Sequence, residues 1–317
     1  MAPTSIHGGT GREDDDGPAG TQGKMSTGGA PGRNRPIVLA VAFTVIAWAS
    51  AFVAIRTAGR EFSPGPLTVI RIGVAAIVLG IAVAIRRERL PGRGELRGVV
   101  VCGVLWFGIY NLAINAGERR VDAGTASMLV YTAPVLIALL AGWLLGEGFP
   151  RNLLVGCAVS FLGVVLIAVA VSDGIRLGSG ALLCLVAAVT YAGGVVAQKP
   201  VLARRSALSI TFAACVVGLV VCLPFVPQLV DELGRASGGA IAWSVYLAVV
   251  PTAFAFTAWA YALTRSTAGR MASASYLVPP LAVLLGWAIL DETPAPLALA
   301  GGAVVLIGVA VAQHRTR

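Results

Sequence analysis

Ten mostly apolar runs follow one another along this 317-residue chain, separated by short loops. A helix of about 20 residues crosses the hydrocarbon core of a bilayer, and short loops make successive helices antiparallel. Only 12% of the residues are charged, against about a quarter in soluble domains. The sequence therefore predicts an all-α integral membrane protein with ten transmembrane helices. The predicted helices cover residues 37–55, 66–85, 98–116, 123–145, 152–171, 179–198, 207–226, 240–263, 268–290 and 296–313.

The segment before the first helix, residues 1–35, is polar and Gly-rich and predicts a disordered cytoplasmic tail, with Met25 as an alternative start. Basic residues at 33 and 35, an apolar run over 37–48 and the sequence Ala-Ser-Ala also resemble a signal peptide. The apolar run continues to Ile55 and has a counterpart later in the chain. A mature transmembrane helix is therefore favoured.

The chain repeats itself at an offset of 145 residues. Over residues 124–164, 14 of 41 positions are identical to the residues 145 positions later, which indicates an internal duplication. Aligned pairs are Tyr131 with Tyr276, Pro134 with Pro279, Glu147 with Glu292, and Gly163 with Gly308. We expect two five-helix repeats, residues 36–173 and 174–317.

An odd number of helices in each repeat implies that the second copy enters the membrane in the opposite direction. With the N-terminus inside, the inner loops hold eleven Arg and Lys residues and the outer loops hold six. This bias favours a multi-pass protein of the cell membrane with both termini cytoplasmic. In inverted repeats the binding site lies near the membrane midplane, between the halves.

Several segments carry a family resemblance. They are WASAFVAIRTA at 48–58, Arg71 in the second helix, and the paired segments at 124–147 and 273–292, each with small residues, a proline and a terminal acid. Over about residues 37–313 the chain resembles the EamA-type branch of the drug/metabolite transporter superfamily. The resemblance implies a carrier of small metabolites, commonly an exporter of amino acids or related compounds.

Prolines interrupt the fourth and ninth predicted helices at equivalent positions. Pro134 and Pro279, the latter followed by Pro280, each remove a helix hydrogen bond, so these kinks should face protein or water rather than lipid. Tyr131 and Tyr276 lie three residues earlier on the same face. We expect matched hinges or substrate-lining walls, with simple packing as the alternative.

Arg71 is the only charge well inside an apolar segment. Intramembrane charge is costly and usually functional, although Arg71 lies about two turns from the helix end and could snorkel. We expect it to face the pore and to favour substrates with a carboxylate or other anionic group.

All fifteen Asp and Glu residues lie in the tail, in loops or at helix ends. This disfavours a proton antiporter built on a buried acid and a pocket selective for cationic drugs. The helix-end acids Glu147 and Glu292 are expected to be solvated at the interface. Asp291 departs from the first copy, which has a glycine at the equivalent position.

Further polar and aromatic residues could line a cavity. The candidate substrate-binding residues are Trp48, Ser50, Arg71, Tyr110, Asn111, Asn115, Tyr131, Tyr191, Trp259 and Tyr276, with Tyr261 as an additional aromatic. Gly156, Ser160 and Gly163, mirrored by Gly301 and Gly308, have the spacing of close helix packing.

The remaining patterns exclude other chemistry. Neither of the two lysines, Lys24 and Lys199, ends a phosphate-binding loop, so no ATP site is expected. The five cysteines lie in apolar runs without metal or disulfide spacing, and we expect no metal, no cofactor and no nucleic-acid partner. The leading interpretation is a carrier and not an enzyme. The sequence does not determine the oligomeric state, and a monomer is one of the alternatives. A xenobiotic exporter, a membrane-embedded enzyme and a scaffold are the alternatives.

Overall fold

The computed structural model of the chain describes residues 35–144, 151–170, 178–263, 275 and 277–313. These residues are almost entirely helical and contain no strand. The first repeat contributes α1 (Arg35–Ala58), α2 (Pro64–Arg86), α3 (Leu96–Cys102), α4 (Tyr110–Gly117), α5 (Ala123–Val130), α6 (Ala133–Leu144) and α7 (Arg151–Ala170). The second contributes α8 (Ser179–Leu202), α9 (Ala207–Cys222), α10 (Val226–Leu233), α11 (Gly238–Leu247), α12 (Ala255–Leu263), α13 (Val278–Leu290) and α14 (Pro296–Gln313).

Seven helical stretches in the described residues are long and apolar enough to cross a membrane, and three shorter apolar helices accompany them. The outward face of the bundle is apolar. Leu39, Ile85 and Phe161 are each more than two-thirds exposed, which a soluble fold would avoid on this scale. The chain is therefore a multi-pass membrane protein. The predicted tail up to residue 34, Glu147 and Tyr276 lie outside the described residues.

The fourth predicted helix, 123–145, is interrupted in the structure. It ends at Val130, turns through Tyr131 and Thr132, and starts again at Ala133. Pro134 is thus the second residue of a new helix, where a missing N–H is tolerated. The expected kink inside a continuous helix is wrong at this site, because the chain breaks the helix before the proline.

The equivalent segment of the second repeat starts a helix at the same aligned position. α13 begins at Val278, which is 145 residues after the start of α6, and Pro279 and Pro280 lie in its first turn. Pro134 and Pro279 are both buried, whereas Pro280 is exposed. Both prolines aligned by the duplication are therefore buried in the first turn of a helix.

The last helix of each repeat packs directly on the other. A Cβ added at Gly163 would lie 2.6 Å from the Gly301 carbonyl oxygen, and one added at Gly308 would lie 2.7 Å from the Gly156 carbonyl oxygen. The earlier glycine of α7, Gly156, meets the later glycine of α14, Gly308, and Gly163 meets the earlier Gly301, so the two helices are antiparallel. The 145-residue offset aligns Gly156 with Gly301 and Gly163 with Gly308. Each of the two contacts is therefore the repeat equivalent of the other, which gives this interface a local twofold symmetry.

One π-helical segment lies in the third membrane-length helix of each repeat. The two segments cover Gly103–Ile109, between α3 and α4, and Ala248–Phe254, between α11 and α12. Their bounds differ by 145 residues at both ends, so the duplication preserved the distortion itself. Such wide turns are rare and often lie at functional sites.

Candidate functional site

A small cavity lies in the interior between the repeats. Its volume is about 30 Å³, which is room for one or two water molecules. It is lined by Trp48, Ala51, Phe52, Ile55, Arg71, Trp106, Tyr110, Ile114, Val130, Tyr131, Tyr191 and Phe256. In this conformation the cavity is too small for a solute of the size of an amino acid.

Aromatic rings close the cavity across the repeat boundary. The ring of Trp106, in the first π segment, lies 5.0 Å from that of Tyr191 and 4.8 Å from that of Phe256, centroid to centroid. Trp48 on α1 contacts Phe256 at 5.6 Å and Trp259 at 4.9 Å. Such rings offer a large apolar surface to a solute.

Arg71 supplies the positive charge of this cavity. Its side chain is 3% exposed, and its Nε donates to Thr252 Oγ1 at 2.9 Å. Its Nη1 is buried without a hydrogen-bond partner. Arg71 thus points into the bundle rather than snorkelling to the surface, and one arm of its fork is free to bind an anionic group.

The second π segment positions the partner of Arg71. Thr252 also donates from Oγ1 to the Leu247 carbonyl oxygen, five residues earlier, at 2.9 Å. At the first π segment, Asn111 on α4 plays a similar part, because its Nδ2 donates to the carbonyl oxygens of Trp106 and Phe107. The π segments are thus stabilised by side chains that satisfy displaced carbonyls.

Among the predicted lining residues, Trp48, Arg71, Tyr110, Tyr131 and Tyr191 meet at the central cavity.

Others are placed elsewhere. Ser50 bonds with Tyr246 at 2.7 Å. Asn115 donates to Thr68 at 2.9 Å, and Asn111 supports the π segment. The hydrogen bonds of these polar residues go to the backbone or to other side chains, and these residues do not line this cavity.

Two more predicted aromatics lie outside the lining. Trp259 reaches the site only through its contact with Trp48, and Tyr261 is 37% exposed on the outer face.

The lining residues Trp106 and Phe256 were missed by sequence reasoning. In the sequence, neither residue has polar neighbours that would distinguish it from an aromatic residue facing lipid. Only packing around the π segments brings the two rings together.

A second cluster of interest lies at one end of the bundle, which we call the Arg56 end and define by Arg56, Glu118 and Glu292. Arg56 Nε and Glu292 Oε1 are 2.7 Å apart, joining α1 to the end of α13. Arg56 Nη1 also donates to the Glu118 carbonyl oxygen. Glu292 is therefore ion-paired and half-buried rather than solvated, which corrects the sequence expectation.

Glu118 directly follows the membrane-length helix that ends at Gly117. Its side chain is 1% exposed, and neither Oε1 nor Oε2 has a hydrogen-bond partner. Burial raises the pKa of Glu118 well above its usual range, against the opposing charges of Arg56 and Arg71. Sequence reasoning missed this buried acid, because a helix-end position ordinarily implies solvation.

A larger cavity of about 290 Å³ opens beside these charges. It is lined by Ile55, Arg56, Gly59, Arg60, Glu118, Arg119 and Glu292. Ile55 borders both this cavity and the central one. Ile55 therefore lies between the two spaces, and the Arg56–Glu292 pair lines the larger one.

These features define a multi-pass helical membrane protein with an interior site between two repeats. The EamA-like transporter family matches the chain twice, over residues 35–169 and 178–312. The chain belongs to the EamA-like transporter family of the drug/metabolite transporter superfamily, and it is a small-molecule transporter by membership.

Relatives agree with this assignment. The chain is 38% identical to a probable terminal-alkyne amino-acid exporter of Streptantibioticus cattleyicolor, over 88% of this chain and 94% of that protein. It is 32% identical to the uncharacterized transporter YdfC of Bacillus subtilis, over 83% of this chain and 86% of that protein. A solved crystal structure aligns with a TM-score of 0.61 at 21% identity, covering 87% of this chain and 96% of the other, which shows a shared fold.

Proposed function

We propose that this protein is a secondary transporter that exports amino-acid-like solutes across the cell membrane by alternating access. In this proposal ten transmembrane helices form two inverted five-helix repeats, and both termini are cytoplasmic. The antiparallel packing of α7 on α14 and the matched π segments support the inverted arrangement. The Arg and Lys bias of the loops supports the orientation.

The observation that carries the substrate class is Arg71. Its free Nη1 faces an aromatic cavity, an environment suited to a small solute with a carboxylate at one end and an apolar side chain at the other. The relative from Streptantibioticus cattleyicolor, named as a probable exporter of a terminal-alkyne amino acid, supports the same class.

Counterflow in proteoliposomes tests the proposal. Vesicles preloaded with unlabelled L-propargylglycine, an amino acid with a terminal alkyne, should accumulate the radiolabelled compound, and its carboxamide should compete poorly. Loss of a charge-assisted contact costs about 1.5–3 kcal/mol, so Arg71→Ala should weaken transport roughly 10- to 100-fold. Arg71→Lys should be intermediate, because lysine keeps the charge but loses the fork.

Two outcomes would overturn the assignment. Equal transport by Arg71→Ala and wild type would show that the guanidinium does not bind substrate. Transport of a lipophilic cation such as ethidium, with no amino-acid counterflow, would favour the xenobiotic exporter instead.

A further inference from the structure

The described part of the chain buries one carboxylate, that of Glu118. Three other described acids have a partner. Glu95 binds Arg205 at 2.9 Å, Asp122 caps α5 through the Thr125 N–H at 2.8 Å, and Glu292 binds Arg56. Both side-chain oxygens of Glu118 lack any such bond. An ionised carboxylate in that position would lose its hydration and gain no hydrogen bond in return, so burial favours the neutral acid.

Six groups interact electrostatically with this carboxyl. Two are cations, Arg56 on α1 and Arg71 on α2, and two are acids, Asp122 and Glu292. The others are Tyr110 on its own helix and Cys184 on α8. The cations and the acids offset each other in number, so burial decides the protonation state.

Arg56 is the group that can change this balance. It is now held by Glu292 and by the backbone oxygen of Glu118. Because the guanidinium already touches residue 118, release from Glu292 would let it turn to the Glu118 carboxylate. The bond from Arg56 to Glu292, which closes the Arg56 end, therefore competes with a bond from Arg56 to an ionised Glu118 carboxylate.

The geometry points to Glu118 as the proton-carrying group of the transport cycle, protonated while Arg56 binds Glu292 and deprotonated when Arg56 pairs with Glu118. This inference rests on the proposed transport function and adds its coupling ion. One proton leaves the Glu118 carboxyl for water in the adjoining cavity and leaves a carboxylate, while Arg56 keeps its charge throughout. Opening of the Arg56 end is thereby linked to proton release.

The direct test requires no substrate. Infrared difference spectra of the full-length protein in lipid nanodiscs are recorded across a pH titration. Wild type should show the C=O stretch of a protonated carboxyl that persists well above the usual glutamate pKa of 4.5. Glu118→Gln should lack this band, and the matched control Asp291→Asn, which removes an exposed acid at the same end, should retain it. A band that persists unchanged in Glu118→Gln would overturn the assignment.

A second variant tests the competition for Arg56 while leaving Glu118 in place. Glu292→Gln frees Arg56, so the Glu118 band should titrate at lower pH than in wild type. An unchanged titration would refute the exchange of partners, even if Glu118→Gln failed to fold.

The transport arm separates this inference from the proposed function. In proteoliposomes, a pH gradient should accelerate wild-type transport of L-propargylglycine, whereas Glu118→Gln should transport equally with and without the gradient. A gradient response that survives in Glu118→Gln would exclude Glu118 as the carrier and leave the transporter assignment intact. Absence of wild-type counterflow at any pH would refute the amino-acid proposal, while the infrared result would still report on the proton site.

Discussion

Arg56 and Glu292 form an ion pair, with Nε and Oε1 2.7 Å apart, that joins the first helix of one repeat to the ninth predicted helix in the other. The pair lies beside Ile55, which separates the interior cavity from the larger one at this end. At the opposite end of the bundle, Arg205 and Glu95 form a second pair between the repeats, at 2.9 Å. Each end of the bundle thus carries a charge contact between the repeats.

Breaking the Arg56–Glu292 pair should expose Ile55. A cysteine at Ile55 should react slowly with a membrane-impermeant maleimide in an otherwise wild-type chain, because Ile55 is 3% exposed. In the Glu292→Gln background it should react faster, since the α1–α13 contact is lost. The Asp291→Asn background serves as the control and should not change the rate. Equal labelling in all three chains would mean that this pair does not hold the end closed.

The interruption before Pro134 should matter for transport. Pro134→Ala restores an N–H at the start of α6 and favours one continuous helix through Tyr131 and Thr132. Counterflow should fall while membrane abundance stays normal. Pro227→Ala, at the second position of the exposed α10, is the matched control and should transport normally. Normal counterflow in Pro134→Ala would assign this proline to packing alone.

Thr252 should be needed for the position of Arg71. Thr252→Val leaves Nε of Arg71 without its acceptor, at a cost of about 1–3 kcal/mol, so both thermal stability and counterflow should drop. Thr252→Ser keeps the hydroxyl and should behave nearly as wild type. Valine and serine variants with the same melting temperature in detergent would contradict the importance of this bond.

The α7–α14 interface should tolerate no added methyl group. A Cβ at Gly163 meets the Gly301 carbonyl oxygen at 2.6 Å, and overpacking of this kind costs about 1–3 kcal/mol. Gly163→Ala should therefore lower the yield of monodisperse protein in size-exclusion chromatography. Gly94→Ala, with no heavy atom within 4 Å of its added Cβ, should not. A normal profile for both would show that the helices can separate at low cost.

The topology can be checked with fusions to a reporter enzyme that is active only outside the cytoplasm. A fusion after Ala236, between α10 and α11, should be active, and one after Arg317 should be silent. The opposite pattern would reverse the orientation inferred from the basic loops.

The sequence allowed much of the architecture to be predicted. Observed helices begin and end close to the predicted bounds, as at Pro64–Arg86 for 66–85 and Ser179–Leu202 for 179–198, because a stretch of apolar residues in lipid must satisfy its backbone internally as helix. The family assignment, expected from the repeated segments, is confirmed by two matches. The broken helix at Tyr131 was not foreseen, since hydropathy does not distinguish a kinked helix from an interrupted one.

The site depended on tertiary structure in ways that the sequence did not specify. Hydropathy by itself indicated a multi-pass membrane protein with a costly charge at Arg71, because transfer of each residue type into lipid has a fixed sign. Identities at the 145-residue offset indicated the duplication. Only the packed structure decided that Asn115 bonds with Thr68, that Trp106 meets Phe256 and that Glu118 is buried while Glu292 is paired. The physical reason is that burial and pairing of a helix-end group depend on which other helix ends lie beside it, and those neighbours come from distant parts of the chain.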